Sequence, residues 1–218
     1  MWKRMTRALV IVDVQRDFCK GGSLEVPGAE EILKPINELR NTGFFDVVVE
    51  TQDWHPENHV SFAKNHPGHE VFDAIEESGV KQILWPVHCV QNSVGAEFHP
   101  LLTHRDSDIL IQKGTDPNID SYSAFWDNGK QKQTQLKERL VEKDVSQLYV
   151  CGLALDFCVA YTCLDGVLEG FETYLILDCS RAISTSSLTM KLLELASSDV
   201  NYKRQRSDFL NKETKPRK

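Results

Sequence analysis

The sequence predicts an α/β protein: one domain built as a three-layer sandwich, with helices on both faces of a mostly parallel central sheet. Short β-branched runs alternate along the chain with segments of helix length, which is typical of crossover units on a parallel sheet. Runs such as Val47 to Val49 are apolar at every position, as burial between two helix layers requires. The 218 residues suffice for one substantial core, and no linker or internal repeat divides them.

The predicted elements follow this alternation from the first strand to the last helix. Clustered β-branched and apolar residues predict strands at 8–12, 46–50, 109–111, 147–151 and 173–177. Segments of helix length lie between them at 29–41, 132–143, 158–169 and 187–197. Between residues 52 and 106 the alternation gives way to polar sequence with histidines and prolines, in which we expect one short helix near 71–78. A connection of that length inside a compact domain usually carries function.

Composition limits the domain boundaries and the classes of partner. Residues 1–202 are predicted to form the domain, and the basic, apolar-poor segment 203–218 to form a frayed, solvated tail. A formal net charge of −7 argues against a nucleic-acid partner or a membrane surface. The six cysteines show no closely spaced pairs of the zinc-ribbon type, and most fall within or beside predicted elements. A reduced, cytoplasmic protein is the expectation.

A candidate nucleophile lies at the start of the predicted helix 158–169. Free N–H groups and the helix dipole lower the pKa of a cysteine placed there, so Cys158 is a candidate thiolate; the alternative is a buried core thiol. Asp13 and Lys113 each follow another predicted strand, and such strand ends converge on one crevice in a parallel sheet. The alternative is that Asp13 and Lys113 form a buried structural salt bridge. Such a bridge is costly to desolvate and stabilises a fold little, so the position of this pair beside a cysteine favours a catalytic role.

A candidate metal site lies in the long connection. Asp53 and His55 follow a predicted strand, and residues two apart in an extended chain point to the same side. His88 would complete a carboxylate–imidazole set with open positions, as catalytic zinc, iron and manganese sites have. Taken alone, Asp-x-His is a weak motif, and surface hydrogen bonding is the alternative interpretation.

Three aromatic residues are candidates for the walls of a substrate pocket. Phe18 follows Asp13 closely, Trp85 precedes His88, and Tyr122 lies in the loop after Lys113. Each is equally compatible with a core position, but their closeness to separate chemical motifs indicates a pocket for a flat ring.

Five motifs together resemble the signature of the nicotinamidases, which belong to the isochorismatase-like cysteine hydrolases. They occur in the family's order, and the resemblance runs from about residue 7 to residue 185. The motifs are IVDVQRDFC (11–19), TQDWHP (51–56), WPVHCV (85–90), QKG (112–114) and CGLALDFCV (151–159).

The resemblance implies the isochorismatase-like hydrolase fold and the hydrolysis of nicotinamide to nicotinate and ammonia through a cysteine thioester, in NAD salvage. The catalytic residues would be Asp13, Lys113 and Cys158. The oxyanion hole would be formed by the backbone N–H groups of Ala154 and Cys158, with a cis peptide between Leu153 and Ala154.

The resemblance also implies one divalent metal ion, zinc in the first place and iron or manganese as alternatives. Its ligands would be Asp53, His55 and His88. Some family members take a further ligand from the loop after Asp-x-His, for which His59 and Ser61 are both candidates. Homo-oligomers are common in the fold family, but no interface can be read from the pattern.

Two other functions remain open at this point. The chain could be a metal-independent amidohydrolase of the same fold that acts on a carbamoyl or ureido substrate, against which the three metal-ligand candidates argue. It could also be a catalytically silent binding protein, against which the complete set of Asp13, Lys113 and Cys158 argues. An isochorismatase proper is disfavoured, because that group lacks the nucleophilic cysteine.

Overall fold

A computed structural model describes residues 5–77 and 79–210. The strands of this part of the chain are β1 (Thr6–Val12), β2 (Val47–Asp53), β3 (Ala74–Glu77), β4 (Val80–Ile83), β5 (Ile109–Lys113), β6 (Val145–Gly152), β7 (Glu172–Ser180) and β8 (Asn201–Lys203). The α-helices are α1 (Leu33–Arg40), α2 (Leu136–Glu142), α3 (Ala160–Leu168) and α4 (Thr185–Ala196). Strands and helices alternate in the order expected of crossover units.

Six strands form one parallel sheet in the order β5-β2-β1-β6-β7-β8. The central strand β1 is apolar from Ala8 to Val12 and fully buried there, since helix layers cover both faces of the sheet. On one face, Leu33, Ile36 and Leu39 of α1 are buried at helical spacing. The predicted α/β fold with a mostly parallel sheet is therefore confirmed.

The prediction of a short helix at 71–78 is wrong. Residues of this segment form β3, which pairs antiparallel with β4 in a separate two-stranded sheet. Gly79, with φ +79°, lies between the two strands, where a tight turn requires a positive φ. In the sequence, Gly79 indicates the hairpin, whereas the hydrophobic spacing of the segment does not.

The predicted boundary at 202/203 falls inside β8, which the strand prediction missed. β8 is only three residues long and pairs with β7 at the edge of the sheet. Beyond it, the ring of Phe209 packs against the rings of Phe44 and Tyr149, with centroids 5.2 and 5.8 Å away. The tail as far as residue 210 therefore packs on the domain, and residues 211–218 of the predicted tail lie outside the described part of the chain.

The carboxyl ends of four neighbouring strands place chemical groups along one edge of the sheet. β1 leads into Asp13, β2 ends at Asp53, β5 ends at Lys113, and β6 leads through Gly152 towards Cys158. Parallel strands have their carboxyl ends on the same side, so residues far apart in sequence meet there. Within the described residues, no helix is long and apolar enough to cross a lipid bilayer.

Candidate active site

Asp13 is the first residue after β1 and lies fully buried at φ +49°. Its carboxylate accepts a hydrogen bond of 2.5 Å from the Thr51 hydroxyl and lies 2.9 Å from the Lys113 Nζ. Burial raises the pKa of Asp13 to about 6, against the opposing effect of Lys113. A carboxylate with such a pKa can both accept and return a proton near neutral pH.

Lys113 connects the acidic groups to the thiol. Its buried Nζ contacts Asp13, the Oδ1 of Asp53 and the carbonyl of Ser121, and it lies 3.3 Å from the Cys158 Sγ. Burial lowers the pKa of Lys113, but the two carboxylates outweigh it and hold this pKa well above its ordinary value. The ammonium therefore stays charged beside the sulfur.

Cys158 lies in a π-type turn, Leu155–Val159, that leads into α3. Burial raises the pKa of its thiol well above the ordinary value; Lys113 lowers it, whereas the charges of Asp53 and Asp13 raise it further. The predicted lowering of this pKa by a helix start is therefore wrong, because burial and two carboxylates outweigh the cation. The resting thiol keeps its proton and needs a base, and the buried Asp13 carboxylate lies within 4.8 Å of the sulfur.

The turn before the cysteine has the backbone that the resemblance implies. The peptide bond between Leu153 and Ala154 is cis. The Ala154 carbonyl accepts hydrogen bonds from the N–H groups of Phe157 and Val159. Ala154 and Cys158 both border the cavity that also touches Asp53 and the histidines.

The three predicted metal ligands converge on a single point. Asp53 Oδ2 lies 3.6 Å from the His55 Nε2 and 3.8 Å from the His88 Nε2, and all three residues are buried. The Nδ1 of His55 lies 2.8 Å from the Gly114 carbonyl, and that of His88 lies 2.8 Å from the Pro86 carbonyl. Each ring thus donates Nδ1–H to the backbone and turns the Nε2 lone pair inward, as metal-binding histidines do.

Two of these three groups, Asp53 and His88, are held in the charge state that binds a divalent cation. Burial and His55 lower the pKa of His88 to about 4, which keeps that imidazole neutral. Burial lowers the pKa of His55 as well, but Asp53 outweighs it and the net shift is upward, so a cation would have to displace a proton from this ring. For Asp53, burial raises the pKa, yet Lys113 and His55 hold it well below its ordinary range. One carboxylate and two imidazoles with converging lone pairs are a ligand set that suits zinc.

His59 belongs to a second, overlapping group with His55 and Asp120, all three buried. Its ring stacks on that of His55 at 4.1 Å, and burial lowers its pKa to about 4. The Ser61 hydroxyl lies 2.7 Å from the His59 Nδ1, while the buried Nε2 has no hydrogen-bond partner among the described residues. Of the two candidates for a further ligand, Ser61 therefore orients the ring and His59 presents the free nitrogen.

Gly114 allows His55 to approach the backbone closely. A Cβ atom at this position would lie 2.3 Å from the His55 Cε1, and the residue has φ +62°. Only glycine meets both conditions without moving the ring. The glycine of the QKG motif thus orients a metal-ligand candidate.

The predicted aromatic residues line one cavity with the chemical groups. Phe18, Trp85 and Tyr122 border it together with Cys158 and His88. The Trp85 and Tyr122 rings are nearly perpendicular with centroids 6.4 Å apart, and the Phe18 ring lies 5.5 Å from that of His88. Aromatic side chains therefore border this cavity on several sides.

Sequence reasoning missed several residues at this cavity. Phe157 packs edge-on against Trp85 at 4.9 Å and contacts Tyr122 at 5.4 Å, so it supports two walls of the cavity. Leu24 and Ile183 also border the cavity. Ile183 follows the end of β7, and the strand-end rule that found Asp13 would have indicated it.

The isochorismatase domain family matches residues 7–201, and the chain belongs to this family. The nicotinamidase of Acinetobacter baylyi is 44% identical over 194 residues, which cover 88% of this chain and 90% of that protein. The chain thus groups with the nicotinamidases of the family, and it is a hydrolase.

Solved structures agree with this assignment. A nicotinamidase/pyrazinamidase of Acinetobacter baumanii is similar with a TM-score of 0.89 and 43% identity, covering 94% of this chain and 98% of that one. A pyrazinamidase of Pyrococcus horikoshii in complex with zinc gives a TM-score of 0.75 and 35% identity, covering 91% and 98%. The isochorismatase-like fold predicted from the sequence motifs is confirmed.

Proposed function

We propose that the chain hydrolyses nicotinamide to nicotinate and ammonia through a thioester on Cys158, in NAD salvage. The observation that carries this proposal is the contact of the Cys158 Sγ with the Lys113 Nζ at 3.3 Å, with Asp13 paired to the same ammonium. Nicotinamidase relatives support the substrate. Ammonia release from nicotinamide, measured with and without a chelator, tests the reaction and the metal requirement together.

The first half of the reaction forms the thioester. Asp13 takes the proton of the Cys158 thiol as the sulfur attacks the amide carbon, and Lys113 stabilises the negative charge on the sulfur. The backbone N–H groups of Ala154 and Cys158 receive the charge that develops on the amide oxygen. Asp13 then returns the proton to the departing nitrogen, which leaves as ammonia rather than as an amide anion.

The second half hydrolyses the thioester. Asp13, again a carboxylate, takes a proton from water as the water oxygen attacks the thioester carbon; when the C–S bond breaks, nicotinic acid leaves and loses its proton to solvent, which gives nicotinate. Asp13 then returns this proton to the sulfur, so the thiol is restored. A divalent cation held by Asp53, His55 and His88 would supply Lewis acidity to oxygen or nitrogen ligands beside the thioester.

We propose zinc as the bound ion, because Asp53, His55 and His88 match a catalytic zinc set and a similar pyrazinamidase is in complex with zinc. The His55→Ala variant is expected to lose most of its bound metal, since one of two inward Nε2 atoms is removed. Elemental analysis of purified protein measures the loss, and His69→Ala is the control, because His69 is half exposed and pairs with Asp73. An unchanged stoichiometry in His55→Ala would overturn the ligand assignment.

Substrate selection is the second expectation from this site. A pyridine nitrogen is a ligand for a divalent cation, whereas benzamide has the same shape and lacks it. We expect kcat/KM for nicotinamide to exceed that for benzamide by roughly 100-fold or more in the zinc-loaded protein, because a site that binds a polar group rejects the analogue without it. Near-equal values would favour the metal-independent amidohydrolase.

We also propose a cytoplasmic location. The six cysteines are buried and unpaired, which supports a reducing compartment. Nicotinamide is the proposed small-molecule partner.

A further inference from the structure

Gln15 is a fully buried residue two positions after Asp13, and the proposed mechanism gives it no role. Its Oε1 accepts a hydrogen bond from the Asp53 N–H at 2.9 Å, and its Nε2 donates to the Asp53 carbonyl at 2.8 Å. The second Nε2 hydrogen is directed to the Ala96 carbonyl at 2.9 Å. Both donors and the acceptor of this amide are therefore used, and two of the three bonds fix the backbone of one metal-ligand candidate.

The Gln15 side chain lies where strand β1 has ended and its neighbour β2 continues. The paired residues of β1 and β2 run as far as Ile11 and Glu50, and β1 ends at Val12. β2 continues to Asp53 and so runs past the end of its neighbour β1. On the β1 side, the N–H and the carbonyl of Asp53 would therefore lack a strand partner. The side chain of Gln15 pairs with both groups, as a further strand residue would.

Asp17 supports the backbone of the loop that carries His88 in a similar way. Its Oδ2 accepts a hydrogen bond from the Cys89 N–H at 2.7 Å, directly after His88. Cys89 has φ +46°, a conformation that a non-glycine residue rarely adopts without support from its surroundings. A Cβ at Gly95 would lie 2.1 Å from the same Oδ2, so the carboxylate is closely enclosed.

We propose that Gln15 and Asp17 are positioning residues for the metal site: they fix the backbones of Asp53 and of the His88–Cys89 turn. The segment that carries Asp13 thereby sets the distance between the catalytic carboxylate and two of the metal ligands. This inference rests on the proposed metal site. Neither residue ligates the ion, so their removal changes ligand geometry while the number of ligands stays the same.

The test is the zinc dissociation constant, measured by competition with a chromophoric chelator. Gln15→Met keeps the approximate volume and removes three hydrogen bonds, so we expect a dissociation constant about 10- to 100-fold higher than wild type, the range for residues that orient metal ligands. Gln52→Met is the matched control, because Gln52 is buried and also donates to the Ala96 carbonyl at 3.0 Å, without contacting the Asp53 backbone. Its zinc affinity is expected to stay close to that of wild type.

Variants of Asp17 test the same inference by zinc affinity, independently of whether Gln15→Met folds. Asp17 is only partly buried, so Asp17→Ala is expected to fold and to bind zinc more weakly. Asp17→Asn keeps an acceptor oxygen for the Cys89 N–H and is expected to restore most of the affinity. Equal affinities in the alanine and asparagine variants would contradict a positioning role.

The outcomes separate this inference from the proposed function. If wild type and His55→Ala both fail to bind zinc, the metal site itself is wrong and the inference falls with it. If wild type binds zinc and His55→Ala does not, the proposed metal site is supported. Zinc affinities of Gln15→Met and Asp17→Ala equal to wild type would then overturn the positioning role alone.

Discussion

Cys158→Ala is expected to lower kcat for nicotinamide hydrolysis by on the order of 10⁴-fold or more, as the loss of a nucleophile does in other covalent hydrolases. The reason is geometric: the Cys158 Sγ lies 3.3 Å from the Lys113 Nζ and near Asp13. Steady-state ammonia release measures the loss, and mass spectrometry of quenched wild-type enzyme should show the nicotinoyl adduct on this cysteine.

Cys163→Ala is the matched control for this variant. Cys163 is a buried, unpaired thiol in the first half of α3, whereas Cys158 lies in the turn before this helix, and its removal leaves Asp13 and Lys113 in place. We expect near-wild-type kcat from the control and unchanged zinc content in both variants. Turnover by Cys158→Ala comparable to that of the control would exclude the thioester mechanism.

Asp13→Asn and Lys113→Met are each expected to reduce kcat by roughly 10³-fold or more, and the double variant little further. Both residues act on the same proton and the same sulfur, since Lys113 pairs with Asp13 at 2.9 Å and contacts Cys158. A double-mutant cycle on kcat measures the coupling. Losses that multiply in the double variant would indicate separate roles.

The pH dependence of Cys158 alkylation tests the interaction of Lys113 with the thiol without measuring turnover. Lys113 lowers the pKa of the Cys158 thiol, so in Lys113→Met this pKa should rise and alkylation by iodoacetamide should shift to higher pH. Lys130→Met is the control, because Lys130 is half exposed and pairs with Asp165 of α3 rather than with the active-site groups. A profile in Lys113→Met that coincides with wild type would reject electrostatic activation by this lysine.

Much of the site could be predicted because the fold places it by a simple rule. Asp13 and Cys158 come after the buried strands β1 and β6, and Lys113 ends the edge strand β5; the carboxyl ends of these parallel strands lie at one edge of the sheet. Asp53 and His55 obey the two-residue period of an extended chain. These patterns are local in sequence, so no knowledge of distant contacts was needed to find them.

What could not be predicted depends on contacts between distant segments. The Cys158 pKa follows from burial and from the charges of Asp53 and Asp13, which only the folded chain brings together. The amide of Gln15 gives no pattern of its own, because its partners lie on β2 and in the loop at Ala96. The strand β8 is short and lies at the sheet edge, where hydrophobic periodicity is weakest.

The position of β5 at the edge of the sheet has a consequence for how the enzyme loses activity. β5 pairs with β2 alone among the described strands, and Leu110 on it is 47% exposed. Local opening at such an edge costs less free energy than unfolding of the whole domain. Opening of β5 would withdraw Lys113 from the sulfur and the Gly114 carbonyl from His55 in one event. Fraying of this one strand would therefore abolish catalysis while the central strands still keep the domain folded.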